Sequence, residues 1–138
     1  MSVKGDALCE AQLDFTFGLN SLTPPYASVF IALNNSLWEE DGSGGNEIAG
    51  SNYARLEVDC DELEFERTGK IVTNLNDWDF VTPSGDWAPA LTPATGFSVW
   101  SAGSGGVVLY RKNFLAPRII LTGVPVKFLA GSVQFTEM

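Results

Sequence analysis

The feature that most constrains this chain is a change of hydrophobic period at Thr23-Pro24-Pro25. Ahead of it, Ala7, Leu8, Ala11, Leu13 and Phe15 make an approximate 3.6-residue stripe, with Glu10 and Asp14 on the polar side and Gly18 as a stop. That pattern predicts a helix over residues 6–15. Behind it the period is two. Residues 27–33 are apolar on both faces, with β-branched and aromatic side chains at the centre, which suits a central strand covered on both sides. In residues 53–59, Ala54, Leu56 and Val58 alternate with Arg55, Glu57 and Asp59, the signature of a half-buried antiparallel strand. The alternation continues through Leu63-Glu64-Phe65-Glu66 to a turn at Thr68-Gly69-Lys70.

Between residues 74 and 95 the pattern weakens, because Trp78, Phe80 and Trp87 are punctuated by Pro83, Gly85, Pro89 and Pro93. Aromatic side chains pinning irregular backbone are expected there. A hairpin then joins residues 97–100 to 107–110 through the glycine-rich stretch 101–106, and strands at 124–128 and 132–136 close the chain. Pro125 cannot donate to a ladder, so its strand is expected at an edge. Roughly seven or eight short strands at intervals of about 8–12 residues, behind one leading helix, imply an all-β chain. The expectation is a β-sandwich, jelly-roll-like, with residues 1–18 as an amino-terminal helical arm and 19–138 as a single domain. The polar loop at 34–52 is long enough to signal a functional or interface loop.

Composition excludes several functions. The 138 residues contain no histidine, so imidazole-based triads, HExxH zinc sites and His-ligated iron cannot be built from this chain. Cys9 and Cys60 are too far apart for a CxxC motif and are read as free, buried thiols. There is no apolar run near the roughly 20 residues needed to span a bilayer and no signal-type apolar region at the start, so a soluble protein that no cleaved signal exports is expected. With 17 acidic against 8 basic side chains, the net charge of −9 argues against nucleic acid, whose affinity is supplied mainly by Lys and Arg. The charge is polar along the chain. Residues 1–66 carry 13 Asp/Glu and 2 Lys/Arg, a net −11, whereas residues 67–138 carry 4 and 6, a net +2. The first half is either a solvated acidic face or a surface that meets a basic partner.

The acidic residues Glu57, Asp59, Asp61, Glu62, Glu64 and Glu66 could offer oxygen ligands to calcium, but carboxylates spread along a strand make a poor cage. The loop at 39–47 is more cage-like, yet it lacks the EF-hand spacing. Neither glycine-rich segment is followed by Lys-Ser/Thr, which removes a phosphate loop. A glycosidase needs only two carboxylates, but no aromatic-flanked pair stands out. Trp38, Trp78, Trp87 and Trp100 could be sugar-stacking platforms of a carbohydrate-binding module, or core and subunit-interface residues. The expectation is therefore no catalytic residue, no metal and no cofactor.

The order of elements resembles a family of small bacteriophage virion proteins, described as tail-fibre-like or as capsid decoration proteins. Leu13-Asp14-Phe15-Thr16-Phe17-Gly18, Thr23-Pro24-Pro25 and Ile31-Ala32-Leu33 resemble its start. Gly45-Asn46-Glu47-Ile48 with Gly50-Ser51-Asn52-Tyr53-Ala54-Arg55 resembles its "NEV-x-G-x-x-YAR" signature, and Thr95-Gly96-Phe97-Ser98-Val99-Trp100 its "T-H-F-x-I-F/W" strand, without the histidine. Leu109-Tyr110, Pro117-Arg118, Val126, Phe128, Ala130-Gly131 and Phe135 are similar to its closing motif. The resemblance implies a non-enzymatic structural protein of the particle, most simply a capsid decoration or cement protein on the capsid surface. It would be made in the host cytoplasm, form a homotrimer and have the major capsid protein as partner. The rivals are a tail or fibre component and a carbohydrate-binding module for host attachment.

Candidate interface residues follow. Leu8, Leu13 and Phe15 lie on the arm, which would dock on the shell or a sister subunit, or pack on its own domain. Trp38 lies within the polar loop and Tyr53 directly after it, while Arg111, Lys112 and Arg118 are cations of the basic half. Arg55, one of two basic residues in the acidic half, would pair with carboxylates across an interface or with its own Glu47 or Glu57.

Overall fold

The computed structural model describes residues 13–19, 26–41 and 43–136. Among these the strands, in chain order, are β1 (Ser28–Asn34), β2 (Leu56–Asp59), β3 (Phe65–Thr68), β4 (Ile71–Asn74), β5 (Trp78–Asp79), β6 (Ala94–Trp100), β7 (Val108–Arg118), β8 (Lys127–Phe128) and β9 (Gln134–Thr136). They form a four-stranded sheet in the order β2-β1-β6-β7, a three-stranded sheet β3-β4-β9 and the pair β5-β8. The chain is all-β, of the antiparallel, sandwich-like class that the period of two implied. One helical stretch, residues 13–17, carries the end of the expected helix. Residues 6–12, with Leu8 and Cys9, lie outside the described residues. The chain makes two compact units: unit 1 comprises Met1–Val29, Val58–Trp78 and Phe128–Met138, and unit 2 comprises Phe30–Glu57 and Asp79–Lys127.

Unit 1 is organised around aromatic rings. The β3–β4 hairpin pairs Phe65 with Asn74 and Thr68 with Ile71, and β9 adds to β4 with Val72 opposite Phe135. Period two turns Phe65, Val72 and Phe135 inward, where all three are buried. Phe17 enters this cluster from the helical turn, its ring centroid 4.7 Å from Phe65 and 5.1 Å from Phe135. Trp78 stands edge-on to Phe65 and Phe128 at 6.3 Å each. Rings at such tilts and distances gain about 0.5–1.5 kcal/mol per pair beyond their buried area. Gly18 ends the helical turn at φ 72°, and a Cβ there would fall 2.2 Å from the Cys60 carbonyl oxygen. Only glycine fits.

The polar groups of unit 1 are bound into the same framework. Buried Asn74 donates from Nδ2 to the carbonyls of Asn76 and Leu129 (2.9 and 3.0 Å) and accepts the Val133 N–H on Oδ1 (2.9 Å). Arg67 Nε donates to Asp14 Oδ1 at 2.5 Å and ties β3 to the helical turn. The alternation expected from Leu63 begins only at Phe65. Asp61 Oδ1 accepts the N–H groups of Leu63 and Glu64, folding residues 61–64 into a turn that leaves Leu63 77% exposed.

Unit 2 is built on β1, β6 and β7. β6 lies antiparallel beside β1, Phe30 opposite Trp100 and Leu33 opposite Phe97, so β1 is interior to its sheet. Its residues Ile31 to Asn34 are all buried, as an apolar run on both faces requires. The hairpin to β7 is also present, but β7 runs on to Arg118, well past the expected end at 110. The two closing strands are shorter than expected, with Pro125 just outside β8. In the irregular stretch before β6, Trp87 and Ala88 both donate N–H to the Ile120 carbonyl (3.0 and 2.9 Å), and Phe80 and Trp87 are buried.

Candidate functional site

Two of the segments that carry the family resemblance, residues 45–55 and 95–100, meet in unit 2. The chain leaves β1 at Asn34, runs through the polar loop and returns beside its own start. Isolated bridges pair Asn34 with Glu47 and Trp38 with Gly44, so the excursion is a braced hairpin-like loop. Gly45 lies directly against the Trp38 indole, leaving no room for a side chain, and its φ is 64°. Within the loop Asp41 accepts both the N–H (2.9 Å) and the hydroxyl (2.6 Å) of Ser43, and these bonds hold its carboxyl below the usual carboxylate range.

Two hydrogen-bonded networks hold the ends of this loop. In the first, Arg55 Nε and Nη2 form a fork on Glu47 Oε2 and Oε1 at 3.0 and 2.9 Å, while Nη1 donates to the carbonyls of Ala102 and Gly105, both at 2.8 Å. The guanidinium also lies 4.2 Å from the Trp100 ring centroid. Only 7% of the Arg55 side chain is exposed. Tyr53 donates its hydroxyl to Glu47 Oε2 at 2.7 Å and accepts the Leu33 N–H at 3.0 Å. Burial, reinforced by the Glu47 carboxylate, pushes the Tyr53 phenol far above its ordinary pKa, so it stays a donor. In the second network, Trp100 Nε1 donates to Ser98 Oγ (2.7 Å), which donates to Asn34 Oδ1 (2.9 Å), while Asn34 Nδ2 reaches the Gly45 carbonyl.

These contacts sort the expected site residues. Tyr53 and Arg55 come together, with Glu47 and Trp100, in an internal clamp. Of the two readings of Arg55, the bridge to its own Glu47 is the one present. Trp38 is half-buried, exchanges backbone bonds with the Asn113 side chain (2.9 and 3.2 Å) and lies 5.9 Å from the Arg111 guanidinium carbon. Arg111, Lys112 and Arg118 are exposed along β7, Arg118 stacking 5.1 Å from the Phe114 ring. In unit 1 Leu13 is fully buried and Phe15 is 39% exposed.

Asn34, Ser98 and Asn74 were missed by sequence reasoning, although Ser98 is a polar residue between apolar ones and Asn34 and Asn74 each end a strand, places where a buried hydrogen-bonding group can sit. Trp78 and Trp87 are core residues, and Trp100 carries the Arg55 guanidinium on its ring. Among the described residues no group of metal-ligating side chains is assembled, and no helix is long and apolar enough to cross a membrane. Cys60 is a free, buried thiol whose pKa burial pushes up to about 11, with Asp59 and Asp61 adding to the rise. That makes it a poor nucleophile at neutral pH.

An open groove of about 420 Å³ lies between residues 47–55 and 103–105, with Arg55 and Glu47 among its lining residues. Its two charged groups, Arg55 and Glu47, are paired with each other. Comparison with curated proteins gives no match. Comparison with family models accounts for nearly the whole chain, the clamp and the aromatic unit together: it belongs to the family described as Podophage GP4 fiber I protein gp80, whose model matches residues 4–136, and with it among the structural components of the phage particle.

Proposed function

We propose that the protein is a non-enzymatic subunit of a podophage fibre and works as a homo-oligomer, the homotrimer being the state implied by the resemblance. The observation that carries this reading is the match over residues 4–136 to a family described as a fibre protein. The chemistry supports it. Among the described residues the groups with displaced pKa values, Asp41, Tyr53, Cys60 and Asp86, are each displaced by burial or by a local structural hydrogen bond. In unit 2, Asp41, Tyr53 and Asp86 each answer to a different partner, Ser43, Glu47 and Thr122, and not to one another.

A capsid decoration protein bound to the major capsid protein is the second reading. It is favoured by the charge polarity, which suits a subunit clamped between unlike neighbours. Copy number separates the two. Quantitative mass spectrometry of purified particles is expected to find on the order of tens of copies, as for a symmetric appendage. Hundreds of copies would overturn the fibre in favour of the shell.

A further inference from the structure

We infer that copies of this chain associate head to tail, the outer strand β7 of one copy receiving the acidic turn at residues 61–64 of the next. The inference rests on the self-association proposed above and names its surfaces. β7 is the outermost strand of its sheet, and it is exposed over most of its length. Its pairing with β6 breaks between Gly96↔Asn113 and Ala94↔Arg118, so Phe114-Leu115-Ala116-Pro117 bulge out of the ladder opposite Thr95 alone. Leu115 stands fully exposed on the bulge and Ile119 follows at 54%. The same strand carries Arg111, Lys112 and Arg118 and no acidic residue of its own. Arg111 lies beside Trp38 and the Glu40 carbonyl, and Lys112 and Arg118 are the cations nearer Leu115 along the chain. Apolar side chains on an outer strand are an association surface unless something covers them. The bulge and Pro117, which has no N–H, interrupt any added strand, so the contact is made by side chains.

The complementary surface is on the same chain. Leu63 projects from the turn at 77% exposure between Glu62 and Glu64, in a run from Glu57 to Glu66 that holds six carboxylates and no cation. The turn is braced. Asp61 binds it from inside, Asn76 Nδ2 donates to the Leu63 carbonyl (2.8 Å) and to Glu64 Oε2 (3.3 Å), and the Leu75 N–H reaches the Glu64 carbonyl (2.9 Å). A leucine held out on rigid backbone loses little freedom on docking. One surface is an exposed leucine on a strand whose charged residues are all cations and the other an exposed leucine flanked by carboxylates, so each copy carries both halves of the contact. Such a pairing is heterologous: it closes into a ring or extends, depending on the rotation between neighbours.

Sedimentation velocity over a concentration series tests this. The wild-type chain is expected to form larger species as concentration rises, and less so at about 0.5 M salt, where rim charges are screened. Leu63→Ser and Leu115→Ser should each weaken association about tenfold or more. Mixed together they should give a dimer that grows no further, because each variant keeps one intact half. Circular dichroism checks folding, and Lys112→Glu replaces Leu115→Ser should the latter not fold. A wild-type chain that stays monomeric overturns both the self-association and these surfaces. An oligomer that neither variant weakens overturns the surfaces alone, and weakening by only one variant overturns the head-to-tail pairing.

Discussion

Unit 1 and unit 2 are held together by different physics. Unit 1 buries rings: Phe17, Phe65, Trp78, Phe128 and Phe135 touch in one cluster whose stability grows with apolar area and packing. Unit 2 instead commits a partly buried Arg–Glu pair, a tyrosine hydroxyl and two linked polar side chains to holding a long loop against its sheet. Ring packing loses stability in proportion to the volume and contact that are removed. A buried polar network does not, since removing one partner leaves another desolvated and unsatisfied. Changes in the first unit should therefore scale with the volume removed, and changes in the second should cost most when one partner of a pair is removed alone.

Four measurements press on that contrast, in falling order of effect. Phe65→Ala should cost about 3–5 kcal/mol in denaturant unfolding, and Phe65→Leu much less. If both cost the same, packing is not what the cluster contributes. Arg55→Ala should cost about 3 kcal/mol by stranding Glu47, with Arg55→Lys close behind because an ammonium cannot make the fork. The double variant Arg55→Met with Glu47→Leu should be more stable than Arg55→Met alone, and strict additivity would remove the pair from the account. Asn74→Ala carries the polar logic into unit 1 and should cost about 1–3 kcal/mol by orphaning the Val133 N–H and two carbonyls.

The smallest effect is set by pH. Thr122 donates its N–H and hydroxyl to Asp86 Oδ1 (2.9 Å each), which holds the Asp86 carboxyl below the usual carboxylate range. A carboxyl with a lowered folded pKa contributes stability above its unfolded pKa and loses it as pH falls through the folded one. Asp86→Ala should thus be slightly less stable than wild type at neutral pH, and the two melting curves should converge on acidification. A difference that persists in acid would assign the effect to something other than the charge.

What the sequence disclosed followed period and punctuation. β1 was legible because an apolar run on both faces has few other destinations, and the β3–β4 and β6–β7 hairpins because Gly69 and the glycine-rich stretch mark turns between alternating segments. The extension of β7 was hidden, since Arg111-Lys112-Asn113 on an outer strand has no buried face to impose a period. Leu63 reads as strand until Asp61 is seen to fold its own backbone into a turn. The Arg55 clamp was half visible. Its partner Glu47 was among the alternatives, but the Ala102 and Gly105 carbonyls lie far away in sequence and only the fold brings them within reach.

That last contact changes how the stretch between β6 and β7 is to be regarded. Read as letters, Ser101-Ala102-Gly103-Ser104-Gly105-Gly106 is the place where a protease would nick the chain or an engineer would splice in a tag. Two of its carbonyls are held by Arg55, Ser101 Oγ takes the Val107 N–H, and Ser101 N–H is bonded to the Val107 carbonyl. Its length is thereby matched to the reach of one guanidinium. Inserted residues would be tolerated at the exposed Gly69 turn before they were tolerated here.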